Sequence, residues 1–238
     1  MGRAHHLKET LPANLAHNSD VETEFVVLNY NSKDDLHEWM QQFLAANPLA
    51  SRVAYFHERT AKFFDPRHAK NVAHLLATGD VLVNMDADNF TGPGYAAKLA
   101  GMFSENPNVC VTSDFKASSL TGKIALSKEN FLRLRGYDES FTGWGAEDPD
   151  LVLRFDRSVV KSVRVKWPGE GAIKHSNEER VRNFEMGGKD HFQTNKVNWE
   201  RAKSRPSTEP INKSGFGKAS VYVGFTDLVR CVWVGQLA

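Results

Sequence analysis

The stretch that most restricts what this chain can become is Leu82-Val83-Asn84-Met85-Asp86-Ala87-Asp88-Asn89. A short apolar run ends in two carboxylates one residue apart. Just upstream, Ala69, Val72, Ala73 and Leu76 fall at helical spacing, and Gly79 supplies a stop. Helix, glycine, buried-type strand and Asp-x-Asp make one βαβ step with its acids at the strand's carboxyl end. Open α/β sheets bind their ligands at that edge. With no lysine or arginine beside them in the sequence, Asp86 and Asp88 suit a hard divalent cation that holds phosphate oxygens. Two acids closing a strand are also what an ordinary solvated loop looks like, so the pair needs support from elsewhere in the chain.

The residues around this step repeat its alternation. Residues 3–18 read as a helix with Leu7, Leu11 and Leu15 on one face and Pro12 straining its middle. A strand follows over 24–30, with Asn31 or Ser32 as cap for a helix over 36–46. A strand over 52–56, a helix over 67–78 and the strand over 81–85 complete an α-β-α-β-α-β order. That order predicts a parallel sheet with crossover helices. Beyond the acids come a helix over 95–103, strands over 108–113 and 122–127, and a helix over 128–134.

Bulk composition excludes several classes. The chain has 238 residues, 41% hydrophobic and 25% charged, which is ordinary for a soluble globular protein. A formal net charge of +1 gives no global field that calls for nucleic acid or an anionic membrane. Cys110 and Cys231 have no metal-type spacing and fit a reducing compartment, so a cytoplasmic, soluble protein is expected. The most apolar stretch, 219–238, is interrupted by Asp227 and Arg230 and does not read as a membrane span.

A second segment raises the standing of the acid pair. Gly136-Tyr137-Asp138-Glu139 leads to Gly143-Trp144-Gly145-Ala146-Glu147-Asp148-Pro149-Asp150-Leu151, a glycine-rich aromatic loop feeding an acidic helix start. Capping explains the acids, because carboxylates are favoured at a helix amino end. It does not explain a tryptophan between two glycines. An indole beside carboxylates is a common way to hold a sugar, the ring packing on C–H faces while acids take hydroxyls. Taken together, Asp86-x-Asp88 and the Trp-Gly-x-Glu-Asp block resemble the GT-A nucleotide-sugar glycosyltransferases. More narrowly, they resemble family 2 proteins that carry the galactosyltransferase motif. The similarity covers roughly residues 3 to 185.

The resemblance implies an α/β fold of Rossmann-like GT-A type, with a mixed, mainly parallel sheet flanked by helices. It implies a glycosyltransferase that takes a UDP-sugar donor, uses Mn²⁺ or Mg²⁺, and transfers to an acceptor hydroxyl with inversion. By position, Asp86 and Asp88 match the acids that meet the ribose and the metal-diphosphate, and His175 matches a third metal ligand. Asp148 matches the base, with Glu147 holding acceptor hydroxyls and Trp144 lining the pocket. Asp34, or Asp35 in its place, matches the acid that hydrogen-bonds uracil. Lys70 and Asn71 fall near the nucleotide, and Arg3 borders it.

Two departures stand out. Such proteins usually have an apolar strand just ahead of the stretch matching Gly2 to Leu7, and here Met1 opens there. The first strand is therefore expected to be missing, unless apolar pieces of the tail, 220–223 and 229–234, fill its slot. The tail itself has no counterpart, so the expected division is a glycosyltransferase domain over 1–188 and a basic, aromatic extension over 189–238. Between Lys189 and Lys218, seven basic residues (Lys189, Lys196, Arg201, Lys203, Arg205, Lys213, Lys218) face three acids (Asp190, Glu200, Glu209), a balance of +4. Phe192, Trp199 and Phe216 are interleaved, while Pro206, Pro210, Gly215 and Gly217 predict loops. A polyanionic acceptor, such as DNA with hydroxylated bases, is the alternative to a glycan. A non-catalytic sugar- or nucleotide-binding module is the reading from outside enzymes.

Overall fold

The computed structural model describes residues 1–113, 120–158, 161–207 and 209–235. Its elements, in chain order, begin with α1 (Ala4–His17), β1 (Phe25–Tyr30), α2 (Leu36–Ala46), β2 (Val53–Glu58), α3 (Pro66–Leu76) and β3 (Val81–Asn84). There follow β4 (Asn89–Phe90), α4 (Tyr95–Glu105), β5 (Cys110–Ser113), β6 (Ile124–Ser127), α5 (Lys128–Arg133) and α6 (Glu147–Ser158). The chain closes with β7 (Val163–Val165), β8 (Gly171–Ala172), α7 (Asn177–Val181), α8 (His191–Ser204), β9 (Phe216–Val223) and β10 (Val229–Val234).

The strands form two four-stranded sheets, β1-β2-β9-β10 and β3-β6-β5-β7, and a small β4-β8 pair. The sheet is mixed, as the sequence predicts, but the expected parallel majority is not what the strands do. Among the described residues, only β1 with β2 and β5 with β7 run parallel. β6 lies antiparallel to both of its neighbours, β3 and β5. Parallel neighbours need a crossover connection, whereas a strand that simply turns back becomes antiparallel.

β1 and β3 are edge strands of the two sheets, and both line one channel of about 490 Å³. Alternation along β1 explains how the channel is covered. Phe25 and Val27 pack with Leu11 and Leu15 of α1, while Val26 and Leu28 face Val72 and Leu76 of α3. Helices thus cover opposite faces of β1, and Leu7, Leu11, Ala73 and His74 reach the channel wall. The tail strands do not enter this slot. β9 pairs antiparallel with the other side of β2, in register Phe56↔Val223 and Glu58↔Val221, and β10 pairs with β9. They are held there because Val221 and Val232 bury against Phe56, Val72 and Leu76.

The tail also corrects the loop prediction over 189–218. Residues 191–204 form α8, opened by a capping box in which Asp190 accepts from the Gln193 backbone N–H and Gln193 returns to the Asp190 N–H. Pro206 and Pro210 break the chain only after Ser204. α3 is set by its start: Asp65 accepts from the backbone N–H groups of Arg67 and His68, and Pro66 sits in the first turn. α2, by contrast, starts at Asp35 without a side-chain cap, so neither Asn31 nor Ser32 takes that role.

Candidate active site

β3 delivers the acid pair. Asn84, its last residue, donates from Nδ2 to the Gly122 carbonyl at 2.7 Å and lies 3.3 Å from Asp86 Oδ1. The β4-β8 pair then brings a distant segment alongside: Asn89 pairs with Ala172, and the Ile173 N–H donates to the Asp88 carbonyl at 2.8 Å. Two residues further, His175 Nε2 meets Asp88 Oδ2 at 2.9 Å. Burial and the neighbouring Asp86 carboxylate raise the pKa of Asp88, with His175 opposing them.

That geometry suits a divalent cation. Two neighbouring ligands of an octahedral ion, each at about 2.1 Å, lie about 3 Å apart, which is the Asp88–His175 spacing. A carboxylate beside an imidazole is a donor set that a divalent cation can take. Arg3 stands next to this pair. Its guanidinium donates to Glu179 at 2.7 Å, and His5 and His6 gather on the same carboxylate. The His6 and His175 rings are 5.5 Å apart. Glu179 had no signal in the sequence to mark it.

A second group of acids converges from α6 and the β3 end. Asp148 and Glu147, in the first turn of α6, are 8% and 7% exposed. The space beside Gly122 joins them to Asp86. A Cβ there would lie 2.5 Å from Asp86 Oδ2 and 3.2 Å from Asp148 Oδ2. The fold also supplies a cation that the sequence order hides. Lys70 of α3 places Nζ 2.6 Å from Asp148 Oδ1, 3.6 Å from Glu147 and 3.9 Å from Asp86. Burial works against the charge on Lys70, yet the three carboxylates raise its pKa well above the usual lysine value. For Asp148, burial outweighs the pull of Lys70, and Glu147 and Asp86 add repulsion, so its pKa is raised. Glu147 Oε2 is buried with no hydrogen-bond partner.

Asn71, expected beside the nucleotide, is directed elsewhere. Its amide donates to the Tyr137 carbonyl and Glu139 and accepts from the Tyr137 N–H, which leaves it fully buried between α3 and the 136–139 loop. Asp34 and Asp35 separate clearly. Asp34 Oδ2 accepts from the Ala4 N–H at 2.9 Å; burial works to raise its pKa, but hydrogen bonds from Ala4, Ser32 and Leu36 hold it below the usual carboxylate value. Asp35 is exposed and pairs with Lys8.

Trp144 is half-buried, with the Arg180 guanidinium 5.5 Å from its ring centre and His191 at its edge. The flanking glycines are demanded by α8. Gly143 has φ 63°, and a Cβ there would stand 2.5 Å from Thr194 Cγ2. Thr194 donates to the Trp144 carbonyl and accepts from its N–H, while Asn198 donates to the Thr142 and Gly145 carbonyls. Arg205, just past α8, bridges Asp138 and Asp150. The tail therefore shapes the loop that carries Trp144.

Solved structures resemble this arrangement over most of its length. Staphylococcus aureus TarS 1–349 in complex with UDP superposes with a TM-score of 0.60, covering 84% of this chain and 67% of that one at 13% identity. Glucosyl-3-phosphoglycerate synthase from Mycobacterium tuberculosis, in complex with Mn²⁺, UDP-glucose and phosphoglyceric acid, gives 0.53 over 93% and 84% at 16% identity. The fold is GT-A. At such identities the GT-A likeness speaks for the fold alone. In sequence, residues 111–179 match the family described as N-terminal domain of galactosyltransferase. Mouse beta-1,4-galactosyltransferase 4 is 44% identical over 137 residues, 54% of this chain. The chain spans 40% of the length of that relative. Among the described residues, no helix of this GT-A chain is long and apolar enough to cross a membrane.

Proposed function

We propose that this chain binds a UDP-sugar through a divalent cation, Mn²⁺ or Mg²⁺, and transfers the sugar to a hydroxyl of a glycan acceptor with inversion. The observation that carries the reading is the meeting of Asp86 and Asp148 beside Gly122, with Asp88 and His175 paired at the neighbouring position. One side suits a donor and the other an acceptor base.

Asp88 and His175 hold the cation, with Asp86 toward the ribose and diphosphate. The cation, when bound, offsets charge on the leaving diphosphate. Asp34 takes a ring N–H of uracil. Trp144 packs on the sugar, and the unpartnered Oε2 of Glu147 accepts an acceptor hydroxyl. Asp148 removes the proton of the attacking hydroxyl as its oxygen bonds to the anomeric carbon and the bond to the diphosphate oxygen breaks. A base so placed contributes about 10²–10⁴-fold in rate. The raised pKa of Asp148 moves it toward neutrality, where such a base is most effective.

The reading is tested by Asp148→Asn. UDP binding in the presence of Mn²⁺ should stay near wild type while release of UDP from a UDP-sugar with acceptor falls by about 10²-fold or more. Transfer at the wild-type rate would remove Asp148 from the base role. The mouse relative carries galactosyltransferase in its name, so UDP-galactose is the first donor to assay.

A further inference from the structure

Lys70 is the one cation set among the acids of the acceptor side, among the described residues, and the reaction as derived above leaves it without a task. The resemblance to GT-A glycosyltransferases implies a place for it near the nucleotide. The fold instead turns its side chain, only 11% exposed, into the space between α3 and the start of α6. Its contacts are graded: 2.6 Å to Asp148, 3.6 Å to Glu147 and 3.9 Å to Asp86, with the Tyr137 ring 5.3 Å from Nζ.

The grading separates the two oxygens of Asp148. Lys70 holds Oδ1. Oδ2 is the oxygen that faces the space beside Gly122, where Asp86 also points. A carboxylate free to rotate would present either oxygen, and one drawn toward a bound cation at the donor side would leave the acceptor. We propose that Lys70 is a positioning residue for the acceptor base: it anchors Asp148 through Oδ1 so that Oδ2 alone receives the proton of the attacking hydroxyl. The inference rests on the base assignment made above. The step balances: the hydroxyl proton passes to Oδ2, the hydroxyl oxygen bonds to the anomeric carbon, and the electron pair of the broken bond leaves with UDP. Lys70 neither gives nor takes a proton.

This role differs from donor binding in what a variant would lose. Lys70→Met should lower kcat for release of UDP from UDP-galactose by about 10²-fold, as a displaced catalytic group does. It should leave KM for UDP-galactose, and the Kd of UDP with Mn²⁺ by calorimetry, within about twofold. Lys70→Arg, which keeps the charge in the cluster, should fold even if Lys70→Met does not, and should recover part of kcat with the same donor Kd. In a crystal structure of Lys70→Met, the Asp148 carboxylate should be rotated from its present orientation. Asp148→Asn is run alongside. If it retains full turnover, the base assignment fails first. If it loses turnover while Lys70→Met keeps the wild-type kcat, the positioning role is wrong and the base assignment stands. A large loss of UDP affinity in either Lys70 variant, or an unmoved Asp148 carboxylate in the Lys70→Met crystal structure, would equally overturn it.

Discussion

His175 Nε2 lies 2.9 Å from Asp88 Oδ2 although the two residues are 87 positions apart in the sequence. The small β4-β8 pair brings them together, with the Ile173 N–H on the Asp88 carbonyl as its last rung. Neither residue is part of a regular element, so their spacing depends on a four-residue ladder. The ring is also hemmed by His6, which ties the amino-terminal helix to the same corner.

Gly122 should tolerate no side chain without loss of function. A Cβ 2.5 Å from Asp86 Oδ2 must push that carboxylate aside. Gly122→Ala is expected to cost about 1–3 kcal/mol of stability by overpacking, yet about 10²-fold in turnover by displacing the acids. Thermal unfolding together with an assay of UDP release checks both. Full turnover in a folded variant would mean that Asp86 and Asp148 do not act across this space.

Stability should fall as the pH drops through the histidine range. His74 is 6% exposed, donates from Nδ1 to the Lys70 carbonyl at 2.6 Å, and has its pKa lowered from 6.5 to about 4 by burial. The unfolded chain takes up this proton near pH 6.5 and the folded chain does not until about pH 4. Folding is therefore favoured most above 6.5 and loses up to about 3 kcal/mol from this group between those values. His6 and His57 are lowered similarly. Urea unfolding at pH 7.5 and pH 4.5 should differ, and His74→Gln should narrow the difference. An unchanged difference in that variant would assign the pH dependence to other groups.

The tail should be inseparable from the fold. Arg205 is 7% exposed and pairs with Asp138 and Asp150, which are 2% and 1% exposed. Arg205→Met leaves two buried carboxylates with less compensation and is expected to cost about 3–5 kcal/mol. Chemical denaturation measures it. A loss below about 1 kcal/mol would show that the bridge is solvated.

The strands flanking the channel should be the least protected of the sheets. Alternate backbone groups of β1 and β3 face it instead of a neighbouring strand. Their amides should exchange with deuterium faster than those of β5 and β6, whose partners lie on both sides. Equal protection in both sets would mean that the edges are closed in solution.

Much of this was legible in the chain, for reasons that differ by element. The helix and strand around Asp86 follow from local periodicity and a glycine stop, and they form within two residues of their expected bounds. α8 was hidden because Pro206 and Pro210 dominate the reading of its neighbourhood, although the Asp190–Gln193 capping box marks its start. The antiparallel course of β6 is a matter of connection, which periodicity does not encode. Within the site, Lys70 meets Asp148 across 78 residues of sequence, a tertiary contact that no local spacing rule encodes. Gly122 is invisible for a related reason: its importance lies in what would collide with a side chain it lacks.

The most direct test of the account is calorimetric titration of UDP into the wild-type chain, Asp88→Ala and His175→Ala, each with and without Mn²⁺. UDP should bind the wild-type chain at least about tenfold more tightly with Mn²⁺ than without, and either substitution should remove most of that gain. Equal UDP affinity with and without Mn²⁺ in the wild-type chain, or a metal effect that survives both substitutions, would contradict a donor site built on Asp88 and His175.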